Sequence, residues 1–354
     1  MAGTGAFGRN HLRVYRELEE AGHGVTLAAA VEPDPKRAEQ TAAQYGIAVF
    51  SSIEQLLSAD LKLHAASVAV PTVHHHAVAS ALLDAGLDLL VEKPLAANLT
   101  EADDLLAKAE RAGRILQPGH LERFNPAVLA VESRLTRPMF FEAHRLSVFT
   151  PRALDVDVVL DLMIHDLDIV LTFAHSPVRE VRAVGLPILS PRVDIANVRV
   201  EFESGCVANF TASRVSTEQV RKLRFFEPRQ YVSIDYARRD LLVIRVDAAA
   251  SQIPPQLAAA IAAGKVDSAT LTKLASGPGS GATPGFQFLK PEIAAGEPLK
   301  LEILSFLDSV RTRRAPHVTA RQGREALELA LEIQSTMAAH AQRAGLGDFF
   351  HAES

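Results

Sequence analysis

The sequence predicts an α/β fold in two parts. Residues 1–120 read as a parallel sheet with helices on both faces, and residues 121–354 as an α+β domain with an open antiparallel sheet. Two observations carry this. Up to Gln117, short apolar runs alternate with helical segments, the rhythm of parallel strands joined by crossover helices. After His120, strands follow one another without long helices between them, as in an antiparallel sheet.

In the first part, Val25–Val31 reads as a strand turned by Pro33-Asp34-Pro35, and Lys36–Tyr45 as a helix with Gly46 where a C-cap glycine belongs. Ser51 and Glu54 form a capping-box pattern for the next helix. Ala65–Val70 is a buried strand, His74–Ala85 a helix ended by Gly86, Leu87–Val91 a strand, Thr100–Ala112 a helix and Arg114–Gln117 a last short strand. In the second part, Asn125-Pro126 starts a helix, since proline has no N–H to lose in a first turn. Phe140–Leu146 is a strand and Val158–Phe173 a strongly apolar helix. Strands follow at Val178–Leu189, Ile195–Phe202, Cys206–Ala212, Tyr231–Ile234 and Leu241–Val246. Residues 275–285, dense in Gly, Pro and Ser, read as a mobile loop, and Leu299–Val310 and Gly323–Ala344 return to helix.

Composition narrows the function classes. With 48% hydrophobic and 22% charged residues, the 354-residue chain can bury two ordinary cores. A net charge of −5 argues against a nucleic-acid partner or an anionic membrane surface. Cys206 is the one cysteine, which rules out an internal disulfide and a Cys-based zinc site and reads as a small buried apolar residue. No run approaches the roughly 20 apolar residues of a membrane span, and the N-terminus lacks signal-peptide features. The cytoplasm is the expected compartment.

Gly3-Thr4-Gly5-Ala6-Phe7-Gly8 fits G-x-G-x-x-G, with a helical segment from Arg9. Gly3 permits a tight turn, Gly5 leaves room for a pyrophosphate against the backbone, and Gly8 allows close helix–strand packing while the helix N-terminus faces the phosphates. Glu32 ends the next strand 24 residues after Gly8, where a carboxylate accepts hydrogen bonds from a ribose. The pattern predicts a dinucleotide site of Rossmann type, and Glu32 favours NAD over NADP by repelling a 2′-phosphate. Lys36 and Arg37 lie close enough to weaken that preference. Only Met1 and Ala2 precede the first glycine, although the strand expected there is central to such a sheet. The expectation is therefore a truncated first strand, with an apolar strand encoded upstream.

Three further clusters carry chemistry. Val91-Glu92-Lys93-Pro94 ends a strand, and ligands of open α/β sheets sit outside the carboxyl ends of strands, so Lys93 is placed to act on substrate; a surface Lys-Pro turn is the alternative. Asp161, His165 and Asp168 fall at i, i+4 and i+7 on an otherwise apolar helix and stack on one face. A catalytic pair, a satisfied structural network or a metal site would each explain them. An imidazole with an ordinary pKa of about 6.5 suits removal of a hydroxyl proton near neutrality. His74-His75-His76 point different ways on a helix, which disfavours a metal there and leaves one of them near the nicotinamide. Gly119-His120 and Arg123-Phe124-Asn125-Pro126 sit at the domain junction, where clefts form.

Taken together, the chain resembles the glucose-fructose oxidoreductase / inositol dehydrogenase / rhizopine catabolism (Gfo/Idh/MocA) family. The marks, in order, are the glycine motif, Val70-Pro71-Thr72 with His75, Glu92-Lys93-Pro94, Gly119-His120 with Arg123-Phe124-Asn125-Pro126, and Asp161-x-x-x-His165-x-x-Asp168. The resemblance implies a Rossmann domain followed by an α+β domain whose sheet packs against a second subunit in a homodimer or homotetramer. It implies Lys93, Asp161 and His165 as the catalytic group, and Gly3, Gly5, Ala6, Phe7, Gly8, Glu32, Pro71, Thr72, His75, Glu92 and Lys93 around NAD. His120, Arg123, Asn125, Arg145 and Arg152 are the substrate candidates, the two last for a diphosphate, and no metal is implied. The Gly-His-x-x-Arg-Phe-Asn-Pro form looks most like the branch that oxidises C3 of UDP-N-acetylglucosamine. An NAD-dependent glycosidase on the same fold and a non-catalytic NAD-binding regulator are the rival functions.

Overall fold

The computed structural model describes residues 1–59, 61–132, 134–150, 156–238, 240–246 and 286–346. They form two compact units, residues 1–124 with 296–331 and residues 125–295 with 332–354. The sequence reading left 296–331 in the second domain; in the structure it clusters with the first. The reason is apolar: Leu299, Ile303, Phe306 and Leu307 share a core with Leu12, Tyr15 and Leu18.

The first unit contains β1 (Ala29–Val31), β2 (Ala48–Phe50), β3 (Ala65–Val68), β4 (Asp88–Glu92) and β5 (Leu116–Gly119). Its helices are α1 (Ala6–Glu20), α2 (Pro35–Tyr45), α3 (Ile53–Ser58), α4 (His75–Asp84) and α5 (Leu99–Ala112). β1 pairs with β2 and β3-β4-β5 form a second ladder, all parallel. Residues 1–3 join the two ladders. The Ala2 N–H donates to Ser67 O at 2.8 Å and Ala69 N–H to Ala2 O at 2.8 Å; on the other side Gly3 N–H donates to Val31 O at 2.9 Å and Val31 N–H to Met1 O at 2.8 Å. The strand order is thus that of a Rossmann sheet, with three residues standing at its centre. The expected strand Val25–Val31 is regular only from Ala29, the residue whose carbonyl accepts from the Met1 amine at 3.0 Å. Ahead of that bond, residues 24–29 and 62–67 line a cavity of about 650 Å³.

Local signals act largely as expected, with small shifts. Gly46 ends α2 at φ +62. The cap of α3 is Ser52, one residue after the expected Ser51, and its side chain accepts from Gln55 N. Ser51 instead bonds Gln55.

The second unit is built on a sheet ordered β13-β12-β11-β10-β6-β9-β8-β7. Its strands are β6 (Phe140–Leu146), β7 (Val178–Leu186), β8 (Ile195–Phe202), β9 (Val207–Ser213), β10 (Val220–Glu227), β11 (Gln230–Asp235), β12 (Asp240–Val246) and β13 (Phe286–Leu289). The sheet is mixed rather than antiparallel: β6 runs parallel to β9 and antiparallel to β10. Strand order in the chain cannot reveal this, because β6 inserts between strands that come after it. Phe141 packs edge-on against Phe225 at 5.4 Å, and Phe173 of α7 (Ile164–Ala174) against Phe225 at 5.5 Å. Three further helices are α6 (Pro126–Glu132) of this unit, α8 (Pro298–Thr312) of the first, and α9 (Ala320–Arg343). The proposed loop at 275–285 lies outside the described residues. No helix among them is long and apolar enough to cross a membrane.

Candidate active site

The carboxyl ends of β1 and β3 open onto a cavity of about 650 Å³, lined by Gly3, Gly5, Glu32, Arg37, Ser51–Glu54, Val70, Pro71 and His74 among others. Each motif glycine has a distinct reason. Gly3 has φ +84, and a Cβ there would lie 2.7 Å from Ala69 O; a Cβ on Gly8 would lie 2.0 Å from Gly3 O. Those two let helix, loop and strand touch. A Cβ on Gly5 would meet nothing within 4 Å, so its open side faces the cavity. Gly5 is also the N-cap of α1 and makes no side-chain cap, which leaves the first turn, Ala6 and Phe7 included, exposed at the helix end that attracts phosphate.

Glu32 is buried and fully engaged. Its Oε2 accepts from Thr4 N at 3.0 Å and Thr4 Oγ1 at 2.8 Å, and its Oε1 from Asp34 N at 3.0 Å. Arg37 reaches Oε1 at 3.0 Å with a side chain half exposed. Burial alone would raise the Glu32 pKa; these donors outweigh it and hold the carboxyl below its usual range. The group is therefore an anion at neutral pH, and of its donors Arg37 is the most exposed.

The three histidines have three environments. His74 lines the cavity, and His76 bonds Asp104 at 2.8 Å. His75 is buried, with Nδ1 2.8 Å from Pro94 O and Nε2 2.9 Å from Val70 O. Burial pushes its pKa down, against the pull of those two carbonyls and of Glu92. His75 thus braces the segments on either side of it, Val70-Pro71-Thr72 and Glu92-Lys93-Pro94. Lys93 follows β4 directly and is half-buried. His11, which sequence reasoning missed, is fully buried and bonds Glu92 Oε1 through Nε2 at 2.8 Å. The available signal was its place at i, i+4, i+7 with Tyr15 and Leu18, a polar residue in the inward stripe of α1.

In the second unit Asp161 and His165 are half-buried and Asp168 is buried. The expected single α-helix is instead a π-helical turn over Val159–Met163 running into α7, so Asp161 sits in a widened turn rather than at α spacing from His165. Such turns are frequent at functional sites. Arg145 alternates with Phe141 and Ala143 on the covered face of β6. It donates to Asp166 through Nε at 2.7 Å and Nη2 at 2.9 Å, a buried bidentate pair that ties the sheet to α7. That guanidinium is committed to Asp166 rather than offered to a diphosphate. Arg152 lies outside the described residues. His120, Arg123 and Asn125 are buried, and Asn125 Oδ1 accepts from Ala127 N at 3.1 Å at the start of α6. Among the described residues no cluster of His, Cys, Asp and Glu could hold a metal.

A parallel sheet in this order, carrying an anionic carboxylate after its second strand and an open glycine at a helix N-terminus, defines a Rossmann oxidoreductase, and NAD is its cofactor. The profile of the oxidoreductase family with an NAD-binding Rossmann fold matches residues 1–120, and that of the GFO/IDH/MocA C-terminal domain matches residues 127–228. The chain belongs to the Gfo/Idh/MocA family of oxidoreductases. It is 30% identical over 345 residues to UDP-N-acetylglucosamine 3-dehydrogenase of Acidithiobacillus ferrooxidans, covering 96% of this chain and 97% of that one. A solved structure of that enzyme superimposes with a TM-score of 0.81 over 97% of both chains at 30% identity. The scyllo-inositol 2-dehydrogenase (NAD(+)) of Bacillus subtilis is 27% identical over 229 residues, 60% of this chain and 66% of that one.

Proposed function

We propose that the chain oxidises a secondary ring hydroxyl of a sugar nucleotide to a ketone, with C3 of UDP-N-acetylglucosamine as the reacting centre. The observation that carries this reading is the end-to-end similarity to an enzyme named for that reaction. Lys93, Asp161 and His165 are the proposed catalytic group. Bound NAD supplies the hydride acceptor at C4 of its nicotinamide. As the C–H bond breaks, the hydroxyl proton passes to the His165 imidazole, which avoids a protonated ketone. Asp161 orients that imidazole and stabilises its charged form. The Lys93 ammonium donates to the same oxygen and stabilises its developing negative charge. The open face of the second unit's sheet is the inferred contact with another copy, in a homodimer or homotetramer, and the cytoplasm is the inferred compartment.

NADH absorbance with a panel of sugar nucleotides, free sugars and inositols tests the substrate. Turnover is expected with UDP-N-acetylglucosamine; turnover confined to free sugars or inositols would sink it. Free sugar released without net NADH would point to the glycosidase instead. Lys93→Ala is expected to lose about 10²–10⁴ in turnover while still binding NAD. Unchanged turnover in that variant removes the mechanism.

A further inference from the structure

We propose that His11 is a positioning residue for the reaction, acting on Lys93 through Glu92; the proposal rests on the reading that Lys93 works at the reacting oxygen. Glu92 is 7% exposed, and a carboxylate so buried needs a strong donor or it moves or takes up a proton. His11 supplies that donor from α1, at 2.8 Å, with its own side chain wholly out of solvent. The opposite flank of Glu92 is main chain: a Cβ on Gly119 would lie 2.9 Å from Glu92 Cα and 3.0 Å from its Oε2. The carboxylate is therefore wedged between an imidazole and a glycine, with little room to settle elsewhere.

The tautomer follows from the surroundings. His11 Nδ1 is buried with no partner among the described residues. A proton there would be an orphaned donor, so the ring carries its proton on Nε2 and donates it to Glu92. One residue beyond Lys93, Pro94 O faces the buried His75. The Glu92-Lys93-Pro94 turn is thus pinned at both ends by imidazoles. His11 also sits three residues after Gly8, on the helix whose N-terminus opens on the dinucleotide cavity. The His11–Glu92 hydrogen bond ties this helix to the residue before Lys93, so a displaced Glu92 carries Lys93 with it.

The test combines steady-state kinetics, NAD titration and pH profiles. His11→Phe is expected to lower kcat about 10- to 100-fold, the scale of a misplacement near 1 Å, while the Kd for NAD moves less than about threefold. His11→Gln, whose amide can donate to Glu92, is expected to recover most of the loss, and the acid limb of the kcat profile to shift only in the Phe variant. Combined with Lys93→Ala, His11→Phe is expected to add no further loss, because it acts through that lysine. Full kcat in His11→Phe, or a further loss in the double variant, overturns the proposal. If Lys93→Ala itself turns over normally, the reading of Lys93 has failed and not merely this extension of it. Should His11→Phe not fold, Glu92→Gln takes its place with an expected loss of about tenfold in kcat, and wild-type kcat there is equally fatal.

Discussion

Two cavities of about 650 Å³ each lie along the first unit's sheet, at opposite ends of the same strands. At the carboxyl end the walls are directed: an open glycine, a helix N-terminus and a carboxylate kept charged by Thr4, Asp34 and Arg37. At the amino end apolar side chains, Leu27, Leu82, Leu307 and Val310 among them, alternate with Thr26, Lys62, His64 and Arg311, and the Met1 amine lies at one side. The difference teaches that volume does not make a ligand site; a few aimed polar groups do. The second space is flanked by main chain on two sides. The alternation of a parallel ladder brings Leu27 and Ala29 on one side and Ala65 and Ser67 on the other to face it.

Four substitutions or additions would break or sharpen that contrast. Gly8→Ala attacks the junction itself. A Cβ 2.0 Å from Gly3 O is expected to remove about 3 kcal/mol or more of stability, read by thermal or urea unfolding. Gly5→Val instead fills the carboxyl-end cavity, where a Cβ has room. It is expected to fold with a nearly unchanged midpoint and to lose about 100-fold or more in NAD affinity; equal NAD binding would show that this cavity is not the cofactor's. Filling the other cavity should act on stability alone. Five apolar β-branched residues appended ahead of Met1 are expected to add about 2 kcal/mol through new ladder bonds, whereas five acidic residues add none.

That extension has a signature in pH. Burial lowers the Met1 amine from its ordinary 8.0 to about 6. Between those values the unfolded 354-residue chain binds more protons than the folded one, so stability rises with pH through the window, by about 3 kcal/mol in all. The apolar extension replaces the amine by a peptide N–H and should flatten that rise. Arg37→Gln gives the smallest effect. Its pair with Glu32 is half exposed, so NAD affinity is expected to change less than about fivefold, with discrimination against NADP increasing.

Much of this was legible in the residues. The glycine spacing, Glu32 and the strand-end lysine needed only local chain geometry, and the helices of the first unit follow capping and period. β10 escaped because Arg221, Lys222 and Arg224 interrupt its apolar character, although Leu223 and Phe225 alternate toward the core. The sequence offers Arg145 as a candidate for a substrate diphosphate; its period with Phe141 and Ala143 places it on the inner face, where it pairs with Asp166.

The sequence by itself determined what depends on neighbours in the chain: the Rossmann rhythm, the tight turn at Gly3, the close packing at Gly8, and the lysine after β4. Only the tertiary structure decided what depends on distant partners. It set β6 parallel to β9, widened the turn around Asp161, drew 296–331 into the first unit and paired His11 with Glu92 across 81 positions. The physical reason is range. Periodicity and capping act over a few residues, whereas a buried charge is stabilised by whichever donor the folded core brings to it.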